Sequence, residues 1–191
     1  MIEKQRIFME ADESKNDQSL FPDETVCRFM YMIMNGLHHI HENSIVHRDL
    51  KAENCLVDKK MHIKIIDFGL SKMVQHKENG QLLLGTPYYM APEVYEMQGR
   101  NEAYRQPLDC WSAGILMYYL VSGEFPFEKP DLTDKICSEY LNFRSKRWNH
   151  VSIHAKDLIR LLLNKQPEQR LTASNSLDHL YFKLIREKKQ S

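Results

Sequence analysis

His47-Arg48-Asp49-Leu50-Lys51-Ala52-Glu53-Asn54 is followed, in order, by Asp67-Phe68-Gly69 and by Ala91-Pro92-Glu93. Five fixed letters of the first stretch should arise by chance in a chain of 191 residues only about once in ten thousand, at equal residue frequencies. Two short β-rich runs, Cys55–Val57 and His62–Ile66, lie between the first two stretches, parted by the turn-like Asp58-Lys59-Lys60. They predict a small hairpin that ends at Asp67. Such a hairpin would hold Asn54 and Asp67 together, and both offer a hard oxygen ligand. Taken singly these residues have ordinary uses: Asp49 can cap a turn, Lys51 can face solvent, and Asn54 can satisfy backbone. Their joint appearance points to chemistry.

The three stretches resemble the catalytic loop (residues 47–54), the magnesium loop (67–69) and the activation segment (67–93) of eukaryotic protein kinases. Lys51 and Gly85-Thr86-Pro87-Tyr88-Tyr89-Met90-Ala91-Pro92-Glu93 are similar to the serine/threonine class. Within it, Ile63-Lys64-Ile65-Ile66-Asp67-Phe68-Gly69-Leu70-Ser71 and Asp178-His179-Leu180-Tyr181-Phe182 are similar to calcium/calmodulin-dependent and calcium-dependent protein kinases. The resemblance runs from Pro22 to Phe182. It implies a mainly α fold with a few short β-strands: a protein-kinase-like fold, large C-terminal lobe only, with the small N-terminal lobe missing. Residues 1–191 would then be a partial kinase domain.

The activity implied is transfer of the γ-phosphate of ATP to protein Ser or Thr hydroxyls, with ATP and Mg2+ as cofactors. Phosphoryl transfer asks little covalent work of a protein; it needs positioning and charge neutralisation around a loose transition state. By the resemblance, Asp49 is the base that orients the acceptor hydroxyl, a role generally worth about 10²–10⁴ in rate. Lys51 presents a cation to the γ-phosphate, Asn54 and Asp67 are the metal ligands, and Leu56 is a floor beneath the adenine. Thr86 would bridge Asp49 and Lys51 and shape the substrate pocket. Glu53 would contact a basic residue near the acceptor of a protein or peptide substrate. His47 and Phe68 are packing residues, Gly69 completes the magnesium loop, and Arg48 ordinarily pairs with a phosphate on the activation segment. Glu93 would pair with Arg170, anchoring that segment. Asp109, in Asp109-Cys110-Trp111-Ser112-Ala113-Gly114, would hold the catalytic-loop backbone.

Two features depart from the family pattern. Between Ser71 and Thr86 there is no Ser, Thr or Tyr, so the usual phosphorylation switch has no acceptor, and Glu78 is expected to supply a weaker permanent charge in its place. Upstream of Asp49 there is no Gly-x-Gly-x-x-Gly loop and no Val-Ala-Ile-Lys strand. The chain is expected to begin just after the hinge between lobes, leaving apolar surface near Leu56 and Phe68 that predisposes it to association. Three origins fit: a fragment of an active kinase, a non-catalytic C-lobe-only binding or scaffold protein, or a chain whose small lobe comes from a partner. Intact Asp49, Asn54 and Asp67 favour the first.

At 191 residues the chain can bury a sizeable core as one domain. Lys plus Arg and Asp plus Glu are both 26, so no net field favours nucleic acid or an anionic membrane. Cys27, Cys55, Cys110 and Cys137 stand far apart, as reduced thiols of an intracellular, cytoplasmic protein do. The charged start, Met1 to Glu10, has no signal-peptide core, and the most apolar run, Cys110 to Val121, is too short to span a bilayer.

Outward from the motifs the chain is helical. Val26, Phe29, Met30, Ile33, Met34, Leu37 and Ile40 recur at helical spacing after Pro22. His38, His39 and His41 on that helix lack a cysteine or carboxylate at ligand spacing and are expected on its surface. Residues 10–19 form an expected loop. Its Asp12, Ser14, Asn16 and Asp23 have calcium-loop spacing but place Asp17 where glycine is needed. Residues 70–90 should be extended. Leu108 to Val121 predicts a buried helix closed by Gly123 and Pro126, Ser152 caps another helix, and Thr172 caps a last one through Leu180.

Overall fold

The computed structural model describes residues 5–6, 21–73, 86–96 and 105–187. Helix α1 (Asp23–Glu42) buries Val26, Phe29, Met30, Ile33, Met34 and Leu37, the face that the spacing predicts. Pro22 precedes it and donates nothing there, while Asp23 and Glu24 place negative charge in the first turn, where the helix dipole favours it.

Helix α3 (Arg105–Ser122) packs against α1 and against a later helix, α5 (Ile153–Leu162). Cys110, Trp111, Ala113, Ile115, Leu116, Met117, Leu120 and Val121 are all buried, so it is apolar nearly all round, as a helix enclosed by others must be. It begins before the expected Leu108 because a proline in the first turn, here Pro107, breaks no helical hydrogen bond. Gly114 lets a neighbour come close: a Cβ there would sit 2.8 Å from Leu163 Cδ2 and 3.0 Å from Leu162 Cβ. The helix ends where expected, at Gly123, whose φ of 71° is left-handed and whose N–H donates to Tyr119 O at 2.7 Å. Arg147 Nη1 donates to Ser122 O at 2.6 Å, closing the last turn.

The described strands form two small sheets. The hairpin is β3 (Cys55–Val57) and β4 (Ile63–Ile65), with Cys55 opposite Ile65 and Val57 opposite Ile63. Asp58 turns it: its Oδ1 accepts from Lys60 N at 2.8 Å and His62 N at 2.9 Å, which holds the carboxyl below its usual range. A strand that the sequence did not announce, β1 (Gln5–Arg6), pairs antiparallel with β3, Arg6 opposite Leu56. β2 (Ile45–Val46) pairs with β5 (Lys72–Met73).

Shorter helices complete the described chain: α2 (Pro92–Glu96), α4 (Leu132–Ser138), α5 (Ile153–Leu162), α6 (Ala173–Ser176) and α7 (Leu180–Glu187). Ser152 Oγ accepts from Ala155 N at 3.1 Å and Thr172 Oγ1 from Asn175 N at 3.1 Å, both as expected caps. The single helix expected through Leu180 is instead two. After α6 the ring of His179 accepts from Tyr181 N through Nδ1 at 3.2 Å, serving the start of α7. That helix ties the end of the fold to its beginning. Tyr181 Oη donates to Asp23 Oδ1 at 2.8 Å, and Cys27 Sγ donates to Tyr181 O at 3.0 Å.

Of the expected extended stretch 70–90, the described ends hold β5 and single helical turns at Phe68–Leu70 and Pro87–Tyr89. Glu78 and the loop at 10–19, with its calcium spacing, lie outside the described residues. Among the described residues no helix is long and apolar enough to cross a membrane.

Candidate active site

β2 leads into residues 47–54, and the loop is held from beneath by one carboxylate. Asp109, fully buried on α3, accepts from His47 N at 2.8 Å through Oδ2 and from Arg48 N at 2.8 Å through Oδ1. Arg48 has a left-handed φ of 68°, sterically costly for a residue with a Cβ, and the two amides locked on Asp109 keep it there. His41 Nε2 donates to the same Oδ2 at 2.9 Å. His41 is therefore not a surface histidine: it is 9% exposed, whereas His39 faces solvent and His38 is half-buried. Its signal was positional, since it falls four residues after Leu37 on the buried face of α1.

The ring of His47 is buried too. It accepts from Asp49 N through Nδ1 at 3.3 Å and donates from Nε2 to Ile66 O at 3.0 Å, which defines the tautomer. It meets Phe68 edge to face at 4.9 Å. His47 is enclosed, whereas Phe68 keeps 45% of its surface exposed. Arg48 Nε donates to Leu70 O at 2.6 Å, joining the catalytic loop to the segment after Gly69.

Above this floor, four side chains converge. Lys51 Nζ lies 2.7 Å from Asp49 Oδ2 and donates to Thr86 Oγ1 at 2.9 Å. Thr86 Oγ1 donates to Asp49 Oδ1 at 3.2 Å, and Asn54 Nδ2 donates to Asp49 O at 2.7 Å and Oδ2 at 3.1 Å. Both oxygens of Asp49 are thus held, Oδ2 by a cation and an amide and Oδ1 by a hydroxyl. With its nitrogen committed to Asp49, Asn54 presents Oδ1 as its remaining ligating atom.

The hairpin brings the second oxygen ligand alongside. Ile66 N donates to Asn54 O at 2.9 Å, continuing the ladder by one residue, so Asp67 leaves β4 next to Asn54. Asp67 sits at φ 64°, ψ 73°, and its Oδ1 accepts from Gly69 N at 3.2 Å. A Cβ on Gly69 would come within 3.1 Å of that oxygen. Among the described residues no group of three or more His, Cys, Asp or Glu is placed to hold a metal, so the donor set here is one amide oxygen and one carboxylate. That is a hard set, suited to an ion that takes its other ligands from phosphate and water.

Away from the reacting centre, Glu93 and Arg170 form a buried bidentate pair, at 2.6 and 2.8 Å. Arg170 also donates to Pro107 O and Asn164 O, both at 2.9 Å, and its guanidinium lies 5.0 Å over the ring of Trp111. All three nitrogens of the guanidinium are hydrogen-bonded, the condition under which a buried ion pair holds a structure together. Leu56, on β3, and Glu53 are both half-buried.

The protein kinase domain family matches residues 4–182. The meiosis-specific serine/threonine-protein kinase mek1 of Schizosaccharomyces pombe is 36% identical over 172 residues, covering 84% of this chain and 38% of that protein. Calcium/calmodulin-dependent protein kinase type I of the same yeast is 36% identical over 167 residues, covering 83% of this chain and 49% of the relative. For human serine/threonine-protein kinase D2 the identity is 36% over 168 residues, with 86% and 19% covered. The chain therefore spans between a fifth and a half of the length of these relatives, taking 19% and 49% as the limits. With catalytic loop, hairpin and buried anchor in place, and with this family match, the chain belongs to the protein kinase domain family, as a eukaryotic serine/threonine kinase catalytic domain.

Proposed function

We propose that this chain carries the phosphoryl-transfer site of a kinase that moves the γ-phosphate of ATP to Ser or Thr hydroxyls of protein substrates. The observation that supports it best is the Asp49 carboxylate, fixed on both oxygens by Lys51, Thr86 and Asn54 and yet 12% exposed, so that a hydroxyl can reach it. Held this way, Asp49 orients an acceptor hydroxyl and takes its proton as the bond to phosphorus forms. Lys51, two residues on, offers its ammonium to the transferring phosphate. Thr86 fixes the distance between that cation and the base.

Asn54 Oδ1 and Asp67 fit a magnesium ion and would be its protein ligands. When bound, the ion neutralises phosphate charge. Leu56 would lie beneath the adenine of the donor nucleotide. Glu53 would meet a basic residue near the acceptor. Glu78 would stand in for the absent activation-segment phosphate; stoichiometric activating phosphate on residues 72–85 is impossible on Ser, Thr or Tyr, because none occurs there. The small lobe would come from the same protein at its native length or from a partner.

The test is transfer by the protein at its native length from ATP to a mixture of Ser-, Thr- and Tyr-bearing peptides, with and without a magnesium chelator. Phosphoserine and phosphothreonine that vanish with the chelator are expected. Phosphotyrosine alone would contradict the class. Peptide binding without any transfer would make the chain a binding module instead.

A further inference from the structure

Residues 72–85 hold no Ser, Thr or Tyr, so any phosphate acceptor lies elsewhere. Among the described residues, five Ser and Thr are exposed: Thr133, Ser138, Ser145, Thr172 and Ser174. Thr133 and Ser174 lie within α4 and α6. Ser138 ends α4 with its Oγ donating to Asp134 O at 2.7 Å, and Thr172 caps α6 through Oγ1. Ser145 differs. It precedes the helical turn Lys146–Trp148, at φ −65° and ψ 154°, without capping that turn through its side chain.

The backbone around it is open as well. From Glu139, at φ −75° and ψ 150°, to Ser145 the chain is neither helix nor strand. Anchors on the protein side display it: Tyr118 Oη donates to Asn142 O at 2.6 Å, and Phe143 meets Trp148 edge-on at 4.6 Å, with the Arg160 guanidinium 4.7 Å over its ring. Arg144, Ser145 and Lys146 beyond these anchors are exposed. A hydroxyl inside a helix must unwind before it can meet a base and a phosphorus in line, whereas Ser145 has no helix to leave. Arg144 and Lys146 flank it and Arg147 follows, a charge pattern of the kind by which kinases choose acceptors. Arg147 has a second use. Half-buried, it donates from Nη1 to Ser122 O at 2.6 Å and lies 3.4 Å from Glu124 Oε1 through Nε. A Cβ on Gly123 would stand 2.9 Å from that Nη1, so the guanidinium sits tightly over the end of α3.

We propose that Ser145 is a phosphorylation site for a separate serine/threonine kinase that reads basic residues, and that the phosphate draws Arg147 off the end of α3. In the transfer the bond from Ser145 Oγ to the γ-phosphorus of ATP forms as the bond from that phosphorus to its bridging oxygen breaks. ADP leaves, and the hydroxyl proton passes to the modifying enzyme. Phosphoserine carries about −1.5 to −2 charge at pH 7 and three strong acceptor oxygens. Arg147 is two residues away, within reach of its long side chain. Charge-assisted bonds to phosphate are about twice as strong as those to a neutral carbonyl, so Ser122 O loses the competition. The site does not depend on transfer by this chain, since another enzyme supplies the phosphate.

The test isolates the protein at native length from its own cells with phosphatases blocked, and sequences the peptide spanning Ser138 to Trp148 by mass spectrometry. Phosphate on Ser145 is expected, both in the parent and in Asp49→Asn, where any transfer by this chain is removed. Arg144→Gln together with Lys146→Gln, both at exposed positions, should cut occupancy of Ser145 about tenfold, the scale of one hydrogen bond to a charged group. Amide hydrogen exchange reads the consequence. The Gly123 N–H, bonded to Tyr119 O, should exchange faster in the phosphorylated protein than in Ser145→Ala. Arg147→Gln should exchange as fast without phosphate and gain nothing from it. Unmodified Ser145, phosphate that is lost in Asp49→Asn, occupancy indifferent to the two neighbouring cations, or equal exchange at Gly123 with and without phosphate would overturn the proposal.

Discussion

Asp109 and Asp67 flank the same catalytic loop in opposite conditions. Asp109 is fully buried and accepts from His41, His47 and Arg48; Asp67 is exposed and accepts one long bond from Gly69. The same contrast runs through the molecule. Glu93 and Arg170 are enclosed and saturated, while Phe68 and Leu56, at the hairpin, stay partly open. The buried set gives the loop its shape, and in the open set Asp67 retains ligating capacity beyond its bond to Gly69. A change in the first should be felt in stability, a change in the second in chemistry.

The sharpest way to break this division is Asp109→Ala. Two backbone amides and a ring N–H would lose an ionised acceptor, at about 1.5–3 kcal/mol for each hydrogen bond to a charged group before relaxation. A loss on the order of 4 kcal/mol or more in urea unfolding is expected. Unchanged stability would mean that Asp109 does not hold the loop. Glu93→Ala comes next. It strands the Arg170 guanidinium, and breaking such a pair costs about 3–5 kcal/mol, read as a fall in thermal midpoint.

These expectations also measure how much the amino-acid string disclosed. Asp49, Lys51 and Asn54 were legible because they are local: a short loop brings residues two to five positions apart into contact. The Asp67 ligand needed only the hairpin, whose alternation and turn residues are plain in the sequence. Glu93–Arg170 and the role of Asp109 came through family resemblance, since 77 positions separate the first pair and no spacing rule links them. His41 was misplaced because a polar residue on an amphipathic helix is ordinarily assigned to water. Its partner sits 68 residues away on α3. β1 was invisible for a related reason: Gln5 and Arg6 have no strand propensity to speak of, and their pairing depends on an edge offered by β3.

A milder perturbation is pH. Burial first pushes the thiols of Cys55 and Cys110 from 9.0 up to about 12. The folded state then keeps protons that the unfolded state releases. Their contribution is fully present below pH 9 and is lost as pH rises toward 12. Thermal midpoints should fall steadily across that window, and both thiols should resist alkylation at pH 8 in the native protein. Rapid labelling of either would contradict their burial. The smallest expected stability effect is Asp67→Asn, within about 0.5 kcal/mol as for other exposed sites, even though phosphate transfer should collapse. A large destabilisation would erase the distinction between buried frame and open face.

The most direct measurement is phosphate transfer by Asp49→Asn at native protein length, with thermal stability recorded on the same preparation. Asparagine keeps the shape and can still meet Lys51 through its one oxygen while its amide NH2 faces the Thr86 hydroxyl, but it cannot take a proton. The account predicts a fall in turnover of about 10²–10⁴ with an unchanged melting temperature. Turnover within a few-fold of the parent would contradict it, because Asp49 would then be a structural residue and the chemistry would lie elsewhere.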